Sequence, residues 1–308
     1  MREPSRLLRR LIPFAAGCLL LAATGGGVAQ TSNTLKKIRE TGVIVIGHRI
    51  GSVPFSYLDA TLNPIGYSMD LCLRIVGNVR ETLKLRNLQV KLIGVTPATR
   101  IPLVANGTVD LECGVTTNTL ERLKSESFTV TTFVAQSRLL AKKAAGVRSL
   151  DDLRGRPVVS TVGTTSIRHL NEVNAARKLG MRILAGRDDA ESFQMVQADR
   201  AVAYAMDDVL LYGLLASANN REAFSVSEET LSVEPYGIAL TKDDPAFKKL
   251  VDEVIVGLFR SGEIHAIYRR WFESPIPPHG LNLRLPMSPA LRRVIAEPTD
   301  SSDPKRYE

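Results

Sequence analysis

Runs of β-branched residues alternate with stretches of helical apolar spacing along most of this chain. That alternation is the strongest constraint on its fold, because strands separated by helices are most readily buried in parallel α/β sheets. The first strand run is Val43-Ile44-Val45-Ile46, after an amphipathic segment from Leu35 to Arg39. A helix is predicted from Ser68 to Leu85, a strand from Gln89 to Ile93, a helix opened near Pro97 and closed at Gly107, and a strand from Val109 to Cys113. Asn118 and Glu121 stand at capping-box spacing and predict a helix over Asn118 to Lys124. The logic then repeats: strands are predicted at Arg156–Thr161, Arg182–Ala185 and Ala201–Ala205, and helices at Thr165–Leu179, Ala190–Gln197 and Asp208–Ala216. A further strand, Tyr236–Leu240, precedes helical spacing over Pro245–Phe272, which Pro275, Pro277 and Pro278 end.

The pattern predicts two α/β lobes joined by extended segments near Arg138–Lys142 and Val233–Leu240, so the chain crosses out and back. The first lobe comprises residues 30–138 and 236–297, the second residues 139–235, and residues 298–308 form a flexible polar tail. A cleft between two such lobes is a favoured place for a small ligand.

The first 29 residues read as a secretory leader. Arg2, Arg6, Arg9 and Arg10 precede an apolar run from Leu11 to Ala23, and Gly27 and Ala29 place small residues before a cut after Ala29. The run is shorter than the roughly 20 residues a spanning helix needs, which argues against a retained anchor. Cys18 lies inside the run and has Ala15 three residues before it, which argues against lipid attachment. The mature product is expected in the periplasm.

Of the 40 Lys and Arg and 32 Asp and Glu, the leader holds four Arg and one Glu, leaving 36 basic and 31 acidic groups. These are interspersed from Lys36 to Arg306, unlike the clustered charge of a nucleic-acid binder, so no nucleic-acid partner is expected. Two cysteines remain after the leader. Cys72 lies on the apolar stripe of the helix with Val76, Val79 and Leu83, and Cys113 alternates inward with Leu111 and Val109. Bonded in an oxidising compartment they would close a loop of about 40 residues and stabilise by roughly 3–4 kcal/mol. As separate thiols they would fill two core positions, and the sequence leaves both arrangements open.

The four histidines, His48, His169, His265 and His279, have no metal-ligand spacing. The chain carries no phosphate-binding loop, dinucleotide fingerprint or nucleophile elbow, so no cofactor and no catalysis are expected. What remains is polar residues at the ends of predicted strands, where open α/β sheets place their ligands. Arg49 follows the first strand, Arg100 opens a helix, Thr116 and Thr117 follow a strand, Gly163-Thr164-Thr165-Ser166 leads from strand to helix, and Asp207 and Asp208 follow another strand. Each has an ordinary structural role open to it. Together they describe a receptor for a zwitterion, with a guanidinium for a carboxylate, hydroxyls and helix N–H groups around it, and a carboxylate for an ammonium.

Gly47-His48-Arg49 with Val53-Pro54-Phe55-Ser56-Tyr57, Gly66-Tyr67-Ser68-Met69-Asp70, Arg100-Ile101-Pro102-Leu103, Glu112-Cys113-Gly114 with Thr116-Thr117-Asn118, Gly163-Thr164-Thr165-Ser166 and Met206-Asp207-Asp208 stand in one order along the chain. With Trp271-Phe272 and the Pro275–Pro278 stretch, they resemble the periplasmic amino-acid-binding proteins of ABC importers, most of all the glutamate/aspartate-binding branch. The resemblance runs from about Thr34 to Pro298. It implies a type II periplasmic-binding fold, a monomer that hinges shut on one amino acid and docks on a membrane permease. By its pattern Arg100, helped by Thr117 and Thr165, faces the ligand α-carboxylate, Asp207 the ammonium and Arg49 the side-chain carboxylate.

Three positions depart from the acidic-ligand pattern, which has Ser at Pro97 and Val115 and His at Asp189. If Arg49 and Asp189 both line the cleft, the carboxylate offsets the guanidinium and moves the preference toward an amide side chain such as that of glutamine or asparagine. A dehydratase-like enzyme on the same scaffold would need a general acid or base in the cleft, for which Asp189 is the one unusual candidate. An amino-acid sensor would need a separate receptor.

Overall fold

The structure is a computed structural model that describes residues 32–308. The leader expected over residues 1–29 lies outside the described residues. The strands assemble into two principal sheets. The first has the order Gln89–Gly94, Val43–His48, Leu111–Glu112, Ala239–Thr241, Glu126–Phe128, with the first three parallel. The second has the order Arg182–Gly186, Pro157–Thr161, Ala203–Asp207, Phe133–Lys142, Phe224–Val226, again with its first three strands parallel.

Parallel neighbours need a crossover, and the helices Tyr67–Leu83 and Arg100–Ala105 supply it in the first half, Thr165–Arg177 and Asp189–Gln197 in the second. Tyr67–Leu83 buries Leu71, Cys72, Ile75, Val76 and Val79 on one stripe, the face that the apolar spacing dictates. Cys72 and Cys113 are fully buried and joined by a disulfide, with their Cα atoms 6.2 Å apart.

The chain passes from the first sheet to the second through Thr129–Thr132, not near Arg138–Lys142 as expected, since those residues lie within the strand Phe133–Lys142, whose length follows from its run of inward apolar residues; it returns through Gly237 and Ile238. The two crossings are tied together, since Thr129 N donates to the Ile238 carbonyl at 3.0 Å and Thr132 N to that of Tyr236 at 2.8 Å. Beyond them, Phe133–Lys142 pairs antiparallel with Ser232–Tyr236, in register from Phe133 opposite Tyr236 to Ser137 opposite Ser232. Phe133 and Tyr236 stack at 5.9 Å, and Phe55, Tyr67, Tyr268 and Phe272 pack around Phe133 at 4.9–6.4 Å. Aromatic pairs in this range add to the burial energy, so the crossings rest on a firm base.

Three further expectations are corrected. The Asn118–Lys124 segment forms a single 3-10 turn, Arg122–Lys124, because Asn118 is committed elsewhere: its N–H donates to the Pro235 carbonyl and its amide to the Asp300 carbonyl, both at 2.8 Å. The helical spacing over Pro245–Phe272 is divided into Pro245–Ser261 and Glu263–Tyr268 by Gly262, whose φ of +77° ends the first helix in the left-handed conformation a glycine adopts without strain. A wide π turn over Arg269–Glu273 follows and buries both Trp271 and Phe272.

The third correction concerns residues 298–308, expected to fray. Thr131 N donates to the Thr299 carbonyl at 2.8 Å, and Tyr307 is only 3% exposed, its hydroxyl 2.8 Å from that of Thr131 and 2.6 Å from the Ser301 carbonyl. One buried aromatic with both ends of its hydroxyl satisfied is enough to dock a short polar segment.

Candidate ligand-binding site

Every polar residue singled out in the sequence follows the C-terminal end of a parallel strand. Arg49 follows Val43–His48, Arg100 follows Gln89–Gly94, and Thr116 and Thr117 follow Leu111–Glu112. From the second sheet, Thr164 and Thr165 follow Pro157–Thr161, Asp189 follows Arg182–Gly186, and Asp207 ends its own strand. Contacts between the two sets close the cleft. A Cβ built on Gly163 would lie 2.7 Å from the Pro97 carbonyl oxygen, and Gly163 has φ +78°, so only glycine permits both the turn and the approach. A Cβ on Gly213 would likewise lie 2.7 Å from the Val53 carbonyl oxygen.

Arg100 is 3% exposed and makes one side-chain hydrogen bond, from Nη1 to the Val115 carbonyl. Its Nε is buried with no partner, and among the described residues it forms no salt bridge. Burial first, and the like charge of Arg122 second, pull its pKa down to about 9, so it remains a cation at neutral pH. Val115, which has no side-chain hydroxyl, thus enters the site through its main chain.

Asp207 is 5% exposed and accepts from the Tyr236 hydroxyl and, at 3.4 Å, from that of Ser166. Burial, followed by the charge of Glu234, holds its pKa well above the ordinary carboxylic-acid value. The site therefore contains a guanidinium short of acceptors and a carboxyl short of a cation, each costly to bury alone.

Arg49 and Asp189, both 5% exposed, approach with Nη2 3.6 Å from Oδ2. The Arg49 main-chain N–H donates to Ser56 Oγ at 2.9 Å, which fixes the start of its side chain. Gly114 leaves room for the rest, since a Cβ there would fall 2.9 Å from Arg49 Cγ and 2.2 Å from Glu112 Oε1. Asp189 Oδ1 accepts from the hydroxyls of Thr161 at 3.0 Å and Tyr204 at 3.1 Å, while Oδ2 has Ser52 Oγ at 3.5 Å.

The threonines divide. Thr116 donates to Glu112 Oε2 at 2.6 Å, and Thr164 donates to the Thr161 carbonyl at 2.6 Å while capping the helix Thr165–Arg177. Thr117 and Thr165 come together from the two sheets, both donating to Glu234 Oε2 at 2.7 Å. Glu234 itself escaped the sequence reasoning. Its signal was a lone acid within the extended crossing segment Val233–Leu240, and an acid in a paired strand is buried only if something satisfies it.

Residues 44–274 match the bacterial extracellular solute-binding proteins, family 3. This chain belongs to that family. Family 3 relatives include the L-glutamate/L-aspartate-binding protein of Pseudomonas aeruginosa, 50% identical over 274 residues that cover 89% of this chain and 91% of that one. The glutamate/aspartate import solute-binding protein of Salmonella typhimurium is 44% identical over 282 residues, 92% of this chain and 93% of that one. Among solved structures, an ancestral arginine-binding protein bound to arginine superimposes with a TM-score of 0.68 at 25% identity, covering 75% of this chain and 98% of that one. The fold is the two-lobed type II architecture of the family's amino-acid-binding proteins. These relatives are named as binding proteins, the Salmonella one as an import solute-binding protein, so the enzyme alternative weighed from the scaffold is not favoured.

Proposed function

We propose that this protein captures a free α-amino acid in the periplasm, with glutamate and aspartate as its first ligands, and delivers it to the membrane permease of an ABC importer. The single observation that carries the reading is Arg100, a desolvated guanidinium with a spare buried donor at the mouth of a parallel sheet. Its natural complement is the α-carboxylate. The main-chain N–H groups that open the helix Thr165–Arg177 are the second donor set. Thr117 and Thr165 act at one remove, because a hydroxyl proton donated to Glu234 is not also available to the ligand. Asp207 takes the ammonium, and Arg49 faces the side chain.

The first sheet with its helices forms one closing lobe and the second sheet, whose strands include Phe133–Lys142 and Ser232–Tyr236, forms the other, with the tied crossings at Thr129–Thr132 and Gly237–Ile238 as the hinge. Ligand favours the closed form by its differential affinity for it, and the permease reads closure. Support for the substrate comes from the two relatives named for glutamate and aspartate at 44–50% identity. Isothermal calorimetry tests the reading. One-to-one heat with glutamate and aspartate, abolished in Arg100→Met, is expected. Full affinity in that variant, or silence toward every α-amino acid, would sink it.

A further inference from the structure

The side-chain end of the site differs in kind from the α-carboxylate end. Arg49 makes no side-chain hydrogen bond among the described residues, and its one salt-bridge partner there is Asp189 at 3.6 Å. Asp189 Oδ1 is occupied by two hydroxyls at 3.0 and 3.1 Å, whereas Oδ2 has only the long contacts to Ser52 and Arg49. Within one buried pair there stand an underused donor and an underused acceptor. Both border the same cleft: a Cβ on Gly114, next to the Val115 whose carbonyl accepts from Arg100, would lie 2.9 Å from Arg49 Cγ, and Asp189 accepts from Thr161, whose own carbonyl accepts from Thr164.

A ligand group that meets both needs an acceptor and a donor on adjacent atoms. A carboxamide has them, with its oxygen for Arg49 and its N–H for Asp189 Oδ2. A carboxylate satisfies Arg49 alone and sets its second oxygen against the oxygen of Asp189. Resting on the amino-acid-receptor reading above, we propose that the Arg49–Asp189 pair is a carboxamide-reading subsite. Asp189 is its specificity-determining residue, and glutamine and asparagine bind alongside the dicarboxylic amino acids.

The experiment is calorimetry on the mature protein with L-glutamine, L-glutamate and the γ-methyl ester of L-glutamate. The ester keeps the carbonyl oxygen but has no N–H for Asp189. Glutamine is expected to bind one-to-one and at least about fivefold tighter than the ester, since a site built to accept a hydrogen bond rejects an analogue that lacks it. Asp189→Asn removes the charge that compensates Arg49 and is expected to raise the ratio of glutamine Kd to glutamate Kd by at least about fivefold. A smaller margin in either comparison overturns the assignment. The ester comparison needs only the unaltered protein, so it decides the matter even if the variant fails to fold. Glutamate heat with glutamine silent leaves the receptor reading standing and removes the role of Asp189. Silence toward every α-amino acid removes the receptor reading itself.

Discussion

Two buried arginines at the mouth of one sheet have opposite surroundings. Arg100 has a single carbonyl acceptor and a partnerless Nε, whereas Arg49 lies beside the carboxylate of Asp189. A buried charge without a counter-ion is unfavourable in the folded protein and is relieved by an anionic ligand. A buried charge already facing one of opposite sign asks for less. Under the proposed function, the contrast assigns affinity to the Arg100 end and discrimination to the Arg49 end.

Replacing Arg100 by Met should have the largest effect on binding. Losing one partner of a desolvated charge pair costs about 4 kcal/mol, a factor on the order of a thousand in Kd. The ligand-free fold should be unharmed, within about 1 kcal/mol by chemical denaturation, because an apolar side chain removes a buried guanidinium that has no salt-bridge partner among the described residues. A large loss of stability would mean that Arg100 holds the fold together, and would collapse the contrast.

Asp207→Asn comes next, with an affinity loss of about a hundredfold toward every α-amino acid. Its pH signature is more telling. A carboxyl whose folded pKa is raised adds stability below its ordinary value near 3.8 and loses it as pH climbs through the raised value. The Tm of the ligand-free protein should therefore fall more steeply over that rise in pH in the wild type than in Asp207→Asn. An ammonium favours the ionised form, so ligand binding should release a proton in the same window, and affinity should weaken as pH drops below the raised value. Calorimetry in buffers of different ionisation heat measures that proton, and its persistence in Asp207→Asn would assign it to another group.

Arg49→Met should cost glutamate affinity only about tenfold but destabilise the protein by about 3 kcal/mol, since it strands Asp189 as an uncompensated buried charge. This reverses the balance expected for Arg100→Met, and denaturation curves of the two variants side by side would show it or break it. The smallest effect on binding should follow replacement of Cys72 and Cys113 by Ser. The disulfide spans 41 positions, a loop length for which the chain-entropy relation gives roughly 3–4 kcal/mol of stability. Affinity should change less than about threefold, because the bond lies in the core below the cleft and touches none of its donors.

Much of the fold was legible because alternation of apolar residues is a local property. Tyr67–Leu83 and Asp208–Ser217 lie within two residues of their predicted limits, since steric and burial preferences act over one or two turns. Residues 298–308 were misread for the converse reason. Their polar composition says nothing about a single tyrosine, Tyr307, finding Thr131 some 176 positions away. Asn118 was misread as a helix cap because its better partners, the carbonyls of Pro235 and Asp300, are remote in sequence.

The same division runs through the site. The sequence by itself determined which polar residues stand at the C-terminal ends of the strands, because strand ends follow from hydrophobic run lengths and sheet direction from the intervening helices. Only the tertiary structure decided which hydroxyl serves which carboxylate: Thr116 goes to Glu112, Thr117 and Thr165 both go to Glu234, and Asp189 comes within 3.6 Å of Arg49. Hydrogen bonds fail beyond a few tenths of an ångström, and charge interactions strengthen steeply as water is excluded. Such pairings are therefore set by how the two sheets meet, a quantity that no local spacing encodes.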